Sequence, residues 1–202
     1  MFPLSVVLFP HSPLPLRIFE PRYRAMADDC LSGEREFGVV LISRGSEVGG
    51  GDRRVDVGTV ARIAQASPLP DGGWVLLTVG TDRIKVNEWL PDDPYPMAMV
   101  EELETPAPEP PADLVRTATS AVRRTRALLS ELGQAPALPH DFDVCDDPAE
   151  ILWRLCAAAP CNQMDGQQLL ETNDPTERLV LLSELCADLG DDLSRMLAEG
   201  SD

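Results

Sequence analysis

Hydrophobic and polar positions change their period partway along this chain, and the change predicts two kinds of structure. Leu14, Leu16 and Ile18 alternate with Pro15 and Arg17, the period of two of a half-buried strand, and Pro13 and Pro15 hold the segment extended. The three aliphatic residues are the expected core face. Glu20 precedes Pro21 and is thereby biased away from the α region, so the strand is expected to end there. A proline at the first helical position loses no hydrogen bond, and a helix is expected over Tyr23–Leu31, with Tyr23, Met26, Ala27, Cys30 and Leu31 on its apolar side and Gly33 as its stop. The Glu20 carboxylate is expected to cap the free amides of that helix.

The apolar run Phe37–Ile42 reads as a strand covered on both faces. Ser43–Asp52, with Gly49, Gly50 and Gly51 in a row, reads as a hairpin loop, because neither a lysine nor a helix start follows the glycines as a phosphate site requires. Val55–Ala66 is the next expected strand, returned through the turn Pro68–Gly73 into Trp74–Val79. Arg83–Leu90 alternates again, with Ile84 and Val86 inward and Arg83, Lys85 and Asn87 outward, and Met97–Leu103 follows the proline-rich turn Pro91–Pro96. Residues 1–104 are thus expected to form a small β barrel with one helix.

Thr105–Pro111 (T-P-A-P-E-P-P) is expected to be an extended linker, and residues 112–202 a helical lobe. Beyond the linker the spacing becomes helical. Leu114, Val115, Ala118, Ala121, Val122, Leu128, Leu129 and Leu132 line one side of a helix that Gly133 ends. Asp147-Pro148 with Glu150, and Asp174-Pro175 with Glu177, have the capping-box arrangement and predict two more helix starts. The last helix carries Leu179, Leu182, Cys186, Leu189, Leu193 and Met196 at steps of three and four, too short a run for a coiled-coil seam and read as packing within a bundle.

Charge narrows the function. The net charge is −17, and it is uneven: residues 1–90 hold 11 acidic and 10 basic side chains, whereas residues 91–202 hold 23 and 7. Lysine and arginine supply the affinity for phosphate backbones, so nucleic acid is a disfavoured partner. The basic cluster Arg116, Arg123, Arg124 and Arg126 is expected to pair with nearby acids. Met1–Pro10 lacks a basic leader, is broken by Pro3 and Pro10 and does not read as an export signal, and no run is long enough to span a membrane. The five cysteines then read as reduced thiols in a cytoplasmic protein.

Chemistry is sparse. The chain has one lysine, Lys85, flanked by Ile84 and Val86, which excludes a P-loop. Its two histidines, His11 and His140, carry no nucleophile signature around them. His140, Cys145, Cys156 and Cys161 make a conceivable zinc set but lack C-x-x-C spacing, and the acidic loop Asp141–Asp147 lacks the glycine and terminal glutamate of an EF-hand. No metal and no cofactor are expected.

The stretches F-P-L-S-V-V-L-F-P-H-S-P-L-P-L-R-I-F-E-P-R-Y-R (Phe2–Arg24), F-G-V-V-L-I-S (Phe37–Ser43), V-G-T-V-A-R-I (Val57–Ile63) and D-P-Y-P-M-A (Asp93–Ala98) resemble the amino-terminal, substrate-binding domain of the Lon ATP-dependent proteases. In the second half, Q-Q-L-L-E-T-N-D-P-T-E-R-L (Gln167–Leu179) is similar to the segment in which that domain enters its last long helix. The resemblance implies an α+β fold: a six-stranded, PUA-like pseudo-barrel with one helix, followed by a helical bundle. His11 stands where relatives tend to carry a small residue. No ATPase or serine-lysine peptidase sequence accompanies these motifs, so the chain resembles the stand-alone LON-domain proteins.

The function expected is non-catalytic binding of unfolded or extended polypeptide, with a separate protease or another protein as a further partner. Phe19, exposed beside Pro15, Arg17, Arg22 and Tyr23, is the expected docking surface. An RNA-associated accessory module is the alternative that the PUA-like barrel suggests and the charge opposes. A small hydrolase is opposed by the absence of an assembled nucleophile.

Overall fold

The computed structural model describes residues 1–44, 53–104, 110–142 and 148–199. The triple-glycine loop, most of the proline-rich linker, Cys145 and the Asp147 cap lie outside the described residues. The fold is α+β, and it divides into two compact units, Met1–Glu104 and Thr105–Asp202.

The first unit contains β1 (Phe2–Leu4), β2 (Pro13–Ile18), α1 (Pro21–Ser32), β3 (Glu36–Arg44), β4 (Arg53–Pro68), β5 (Trp74–Leu90) and β6 (Met97–Glu102). The strands form one open sheet in the order β1-β3-β4-β5-β2, with β6 also on β5. β1 runs parallel to β3, and the other pairs are antiparallel. Phe2–Leu4 was not expected as a strand, because Pro3 reads as a break. As a strand at the end of the sheet order it tolerates the missing amide, and all three of its residues are buried.

Trp74–Val79 and Arg83–Leu90, expected as separate strands, are one. Residues 74–79 pair with β2, residues 84–90 pair with β6, and β4 follows the opposite edge from Trp74 to Lys85. Gly80 lies between the two partners. Its amide donates to the Ser12 carbonyl at 2.9 Å, its carbonyl accepts from the His11 amide at 2.8 Å, and a Cβ there would stand 2.3 Å from the Phe9 carbonyl oxygen. His11 adopts φ 60, a conformation open to few residues with a side chain.

Inside the sheet, α1 packs Tyr23, Met26 and Ala27 against Phe2, Ile18, Phe37, Val39 and Leu76, with Cys30 and Leu31 at the margin. Two polar ties hold its outer face: Trp74 Nε1 donates to Asp28 and the Tyr95 hydroxyl to Asp29, each at 2.8 Å. Gly33 follows the helix with φ −115, and the left-handed turn falls on Arg35 at φ 63, whose amide closes on the Cys30 carbonyl at 2.9 Å. Arg83 departs from its expected outward face. It is 2% exposed, its guanidinium donates to the Glu104 carbonyl at 3.2 Å, and burial lowers its pKa.

The second unit holds α2 (Ala112–Glu131), α3 (Pro148–Ala158), α4 (Gln163–Glu171) and α5 (Pro175–Glu199). α2 buries Ala118, Val122, Thr125 and Leu129, and Gly133 at φ 69 lets the Gln134 amide return to the Leu129 carbonyl. Thr125 Oγ1 lies 3.0 Å from the Cys186 carbonyl of α5. Asp174 caps α5 through the amides of Thr176 and Glu177, as its sequence predicts. α4, not anticipated as a separate helix, is capped by Asn162, which accepts from the amides of Met164 and Asp165. Met196, expected on the packed side of α5, is exposed.

Arg178 is 1% exposed. It donates to the carbonyls of Leu169 (3.2 Å), Thr172 (2.7 Å) and Asn173 (3.3 Å), and its guanidinium carbon stands 3.8 Å from the centre of the Trp153 ring.

Gly80→Ala is expected to lower the stability of the first unit by about 1–3 kcal/mol, the usual cost of overpacking, because the added methyl meets backbone that side-chain rotation cannot clear. Urea unfolding of the purified variant measures it, and an unchanged midpoint contradicts the close approach.

Candidate functional site

The hydrogen-bond phase between β2 and β5 decides what the outer edge of β2 offers. Ser12 lies opposite Gly80 and accepts its amide, so in this antiparallel register the even-numbered residues of β2 face β5 with their backbone groups. Pro13, Pro15 and Arg17 therefore turn their backbone outward. Two of the three have no amide, so Arg17 alone presents a donor along this edge, and addition of a partner strand is disfavoured. What the region offers is side-chain surface.

Pro15 and Arg17 lie on the solvent face of β2, and across the ladder they meet Leu77 and Val75. Phe19 continues the strip past the end of the strand. It is 54% exposed, Val75 42% and Leu77 37%. The pair from β5 was missing from the expected site, although W-V-L-L-T-V carries the signal: Val75, Leu77 and Val79 are apolar at the positions alternate to the buried Leu76 and Thr78. Arg17 bridges Asp71 only at 4.0 Å, with both side chains more than half exposed.

The backbone under Phe19 is held from two directions. Arg24 of α1 donates from Nε to the Phe19 carbonyl at 2.8 Å and from Nη1 to the Asp71 carbonyl at 2.7 Å, joining the strand end to the β4–β5 turn. In that turn Gly73 passes so close to the Ile18 carbonyl that a Cβ would stand 2.4 Å from its oxygen.

Tyr23 is corrected. It is 4% exposed, with its ring centroid 4.4 Å from that of Phe2, so it belongs to the core and not to the exposed strip. Arg22 stacks over Tyr23 at 4.5 Å and pairs with Glu20 at 3.3 Å, both side chains being about four-fifths covered. Glu20 is corrected as well. Its backbone occupies the N-cap position and its carbonyl accepts the Arg24 amide, but its carboxylate makes no capping bond. Pro21 supplies no amide, and the guanidinium two residues on takes the carboxylate instead.

Below the strip is a small groove of about 120 Å³. Phe2 and Leu4 of β1 line one side, Leu16 and Ile18 of β2 the other, and Tyr23 contributes from α1, with Arg17, Phe19 and Glu20 completing the lining. β1 and β2 are the two ends of the sheet order, so the groove lies where the open barrel fails to close.

The other candidate chemistry is dispersed. Lys85 is exposed on β5 and lies 3.7 Å from Glu101. His140 is exposed, and its carbonyl and that of Pro139 accept from Arg123 of the arginine cluster. Among the described residues no group of three or more histidine, cysteine or acidic side chains is arranged to hold a metal. Burial pushes the Cys156 and Cys161 thiols up to about 12 and Cys186 to about 11. Thiols held protonated in this way are poor nucleophiles and poor metal ligands.

The family model of the "ATP-dependent protease La (LON) substrate-binding domain" matches residues 1–188. The chain is 30% identical over 189 residues to Lon protease 1 of Myxococcus xanthus and 27% identical over 186 residues to the Lon protease of Cytophaga hutchinsonii; each match covers 90% of this chain but 23% of the relative. A crystal structure of a Lon N-terminal domain protein from Xanthomonas campestris superposes with a TM-score of 0.66 at 29% identity, covering 90% of this chain and 94% of that one. The N-terminal domain of a Mycobacterium avium complex Lon protease shares the fold at a TM-score of 0.60 and 22% identity, covering 92% and 97%.

Two outcomes follow from the local chemistry. In a double-mutant cycle of Glu20→Ala and Arg22→Ala, the coupling in urea unfolding is expected at about 0.2–1 kcal/mol, and Glu20→Ala alone should cost no more than Arg22→Ala, as befits a partly covered ion pair and not a helix cap. Between pH 9 and about 11–12 the folded chain keeps thiol protons that the unfolded chain releases, so stability is expected to fall as pH rises through this window. Thermal melts at successive pH values measure the fall, and Cys156→Ala should make it shallower.

Proposed function

Because the chain belongs to the family of the LON substrate-binding domain, we propose that it is a non-catalytic module that binds unfolded or extended polypeptide on the face formed by β2 and β5. The observation that carries this reading is the exposed apolar strip of Phe19, Pro15, Val75 and Leu77 on a rigid sheet. Aromatic and aliphatic groups fixed by the backbone offer contact area at little entropic cost, and Arg17 adds donors for the carbonyls of a bound chain. The strip has no deep specificity pocket of its own, which suits a surface that tolerates many sequences and gives micromolar or weaker binding.

The chain spans about a quarter of the length of the Lon proteases it matches, and the matched part is their substrate-binding portion. ATP hydrolysis and peptide cleavage are accordingly not assigned to it, and a separate protease or another protein is the class of partner to which it would pass a client. A cytoplasmic setting goes with this reading, in keeping with protonated thiols that serve as small buried hydrophobes. No described helix is long and apolar enough to cross a membrane. The net charge of −17 weighs against an RNA partner.

The test is a titration of a labelled, permanently unfolded protein against the wild type and against Phe19→Ser and Leu77→Ser, two exposed positions whose replacement leaves the core intact. Each substitution is expected to weaken binding about three- to ten-fold, or about 0.7–1.4 kcal/mol. Equal affinity in all three proteins would remove the site from this face. Tyr23 is unsuitable for the purpose, because its replacement opens the core.

A further inference from the structure

We infer that the groove between β1 and β2 receives one large apolar side chain of the bound polypeptide, and that Arg17 at its rim favours an acidic residue next to that side chain. The inference rests on the polypeptide-binding reading and specifies what such a surface selects.

Size comes first. About 120 Å³ is far below the ~300–1,000 Å³ of sites for drug-sized ligands or cofactors, and close to the ~150 Å³ of an apolar cavity that admits a single benzene ring. One phenylalanine or leucine side chain is the matching occupant. The walls agree with this, since Phe2, Leu4, Ile18 and Tyr23 are each less than a tenth exposed. The one carboxylate in the lining, that of Glu20, is already paired with Arg22. A polar occupant would give up hydration for walls that are mainly hydrocarbon.

Charge complementarity supplies the second element. Of the two charged residues that line the groove, Glu20 is neutralised at 3.3 Å within a largely covered pair, whereas Arg17 is 70% exposed and its carboxylate neighbour lies 4.0 Å away. Exposed pairs at that separation contribute little, so the guanidinium is readily recruited by a carboxylate on a bound chain. Arg17 also carries the only outward backbone donor of β2, which places a hydrogen bond for the client backbone beside the same rim. An apolar anchor followed by aspartate or glutamate satisfies all three features together.

The experiment uses the full chain and fluorescein-labelled ten-residue peptides of serine and glycine with one central dipeptide: Phe-Asp, Phe-Lys, Phe-Ser or Ala-Asp. Phe-Asp is expected to bind about ten-fold more tightly than Ala-Asp and about three-fold more tightly than Phe-Lys. Arg17→Glu should reverse the order of Phe-Asp and Phe-Lys. A second measurement needs no variant: a peptide with benzoylphenylalanine at the anchor position should photocrosslink to Leu4, Leu16 or Ile18. Binding of the unfolded protein that persists while the four peptides bind alike, or crosslinks confined to Val75 and Leu77, would overturn the groove and leave the polypeptide-binding reading standing. Failure of the wild type to bind the unfolded protein at all would overturn both.

Discussion

Strand β5 has to serve two partners along a single edge. A strand edge offers one row of backbone donors and acceptors, and here the row is divided, residues 74–79 going to β2 and residues 84–90 to β6. The interval is filled by the loop from Phe9 to Ser12, which reaches the strand at Gly80. Because β4 pairs on both sides of this point, β5 continues as one strand, and the register with β4 shifts between Thr59 and Ala61, opposite the change of partner. The position of β2 follows. It is delivered to the end of the sheet with its proline-bearing edge outward, its aliphatic face against α1, and its terminus at Phe19. The groove and the exposed strip are both consequences of where that strand has to lie.

The helical unit depends on a different economy. Burying a guanidinium costs several kcal/mol unless its donors are met, and Arg178 donates to the backbone carbonyls of Leu169, Thr172 and Asn173. Leu169 and Thr172 stand at the carboxyl end of α4, where the last turn leaves acceptors free and the helix dipole favours a cation. The flat face of the group lies on Trp153 of α3. One side chain of α5 thus terminates one helix and packs on another.

Local rules made much of this legible. The alternation of Leu14, Leu16 and Ile18, the proline at the start of α1, the Pro68–Gly73 turn, the Asp174 cap and Gly133 each act within a few residues, and each has the role its chemistry predicts. Misreadings arose where distant groups decide. Arg83 reads as an outward-facing charge because the Glu104 carbonyl that receives it is supplied by the fold and leaves no mark in composition or spacing. Glu20 stands in the cap position, but capping depends on reach, and Arg22 is the nearer claimant. The glycine at position 80 reads as the end of a strand, when the continuity of β4 carries the chain through it. Within the candidate site, Phe19, Pro15 and Arg17 were visible as the face opposite the aliphatic one. Tyr23 was not separable from them, since an aromatic at the first turn of a helix points inward or outward according to what lies beneath, and Phe2 lies there. Val75 and Leu77 join the strip only through the pairing of β2 with β5.

The two prolines at the outer edge of β2 also bear on the fate of a client bound as proposed above. An apolar sheet face that gathers unfolded chains concentrates the material from which cross-β aggregates grow, and an open edge with a full row of amides would act as a template for them. At positions 13 and 15 that row is interrupted chemically, in a way no fluctuation of the fold repairs. Under the proposed function, polypeptide held against Phe19 and Leu77 would meet adhesive side chains beside a backbone poorly suited to template a fibril.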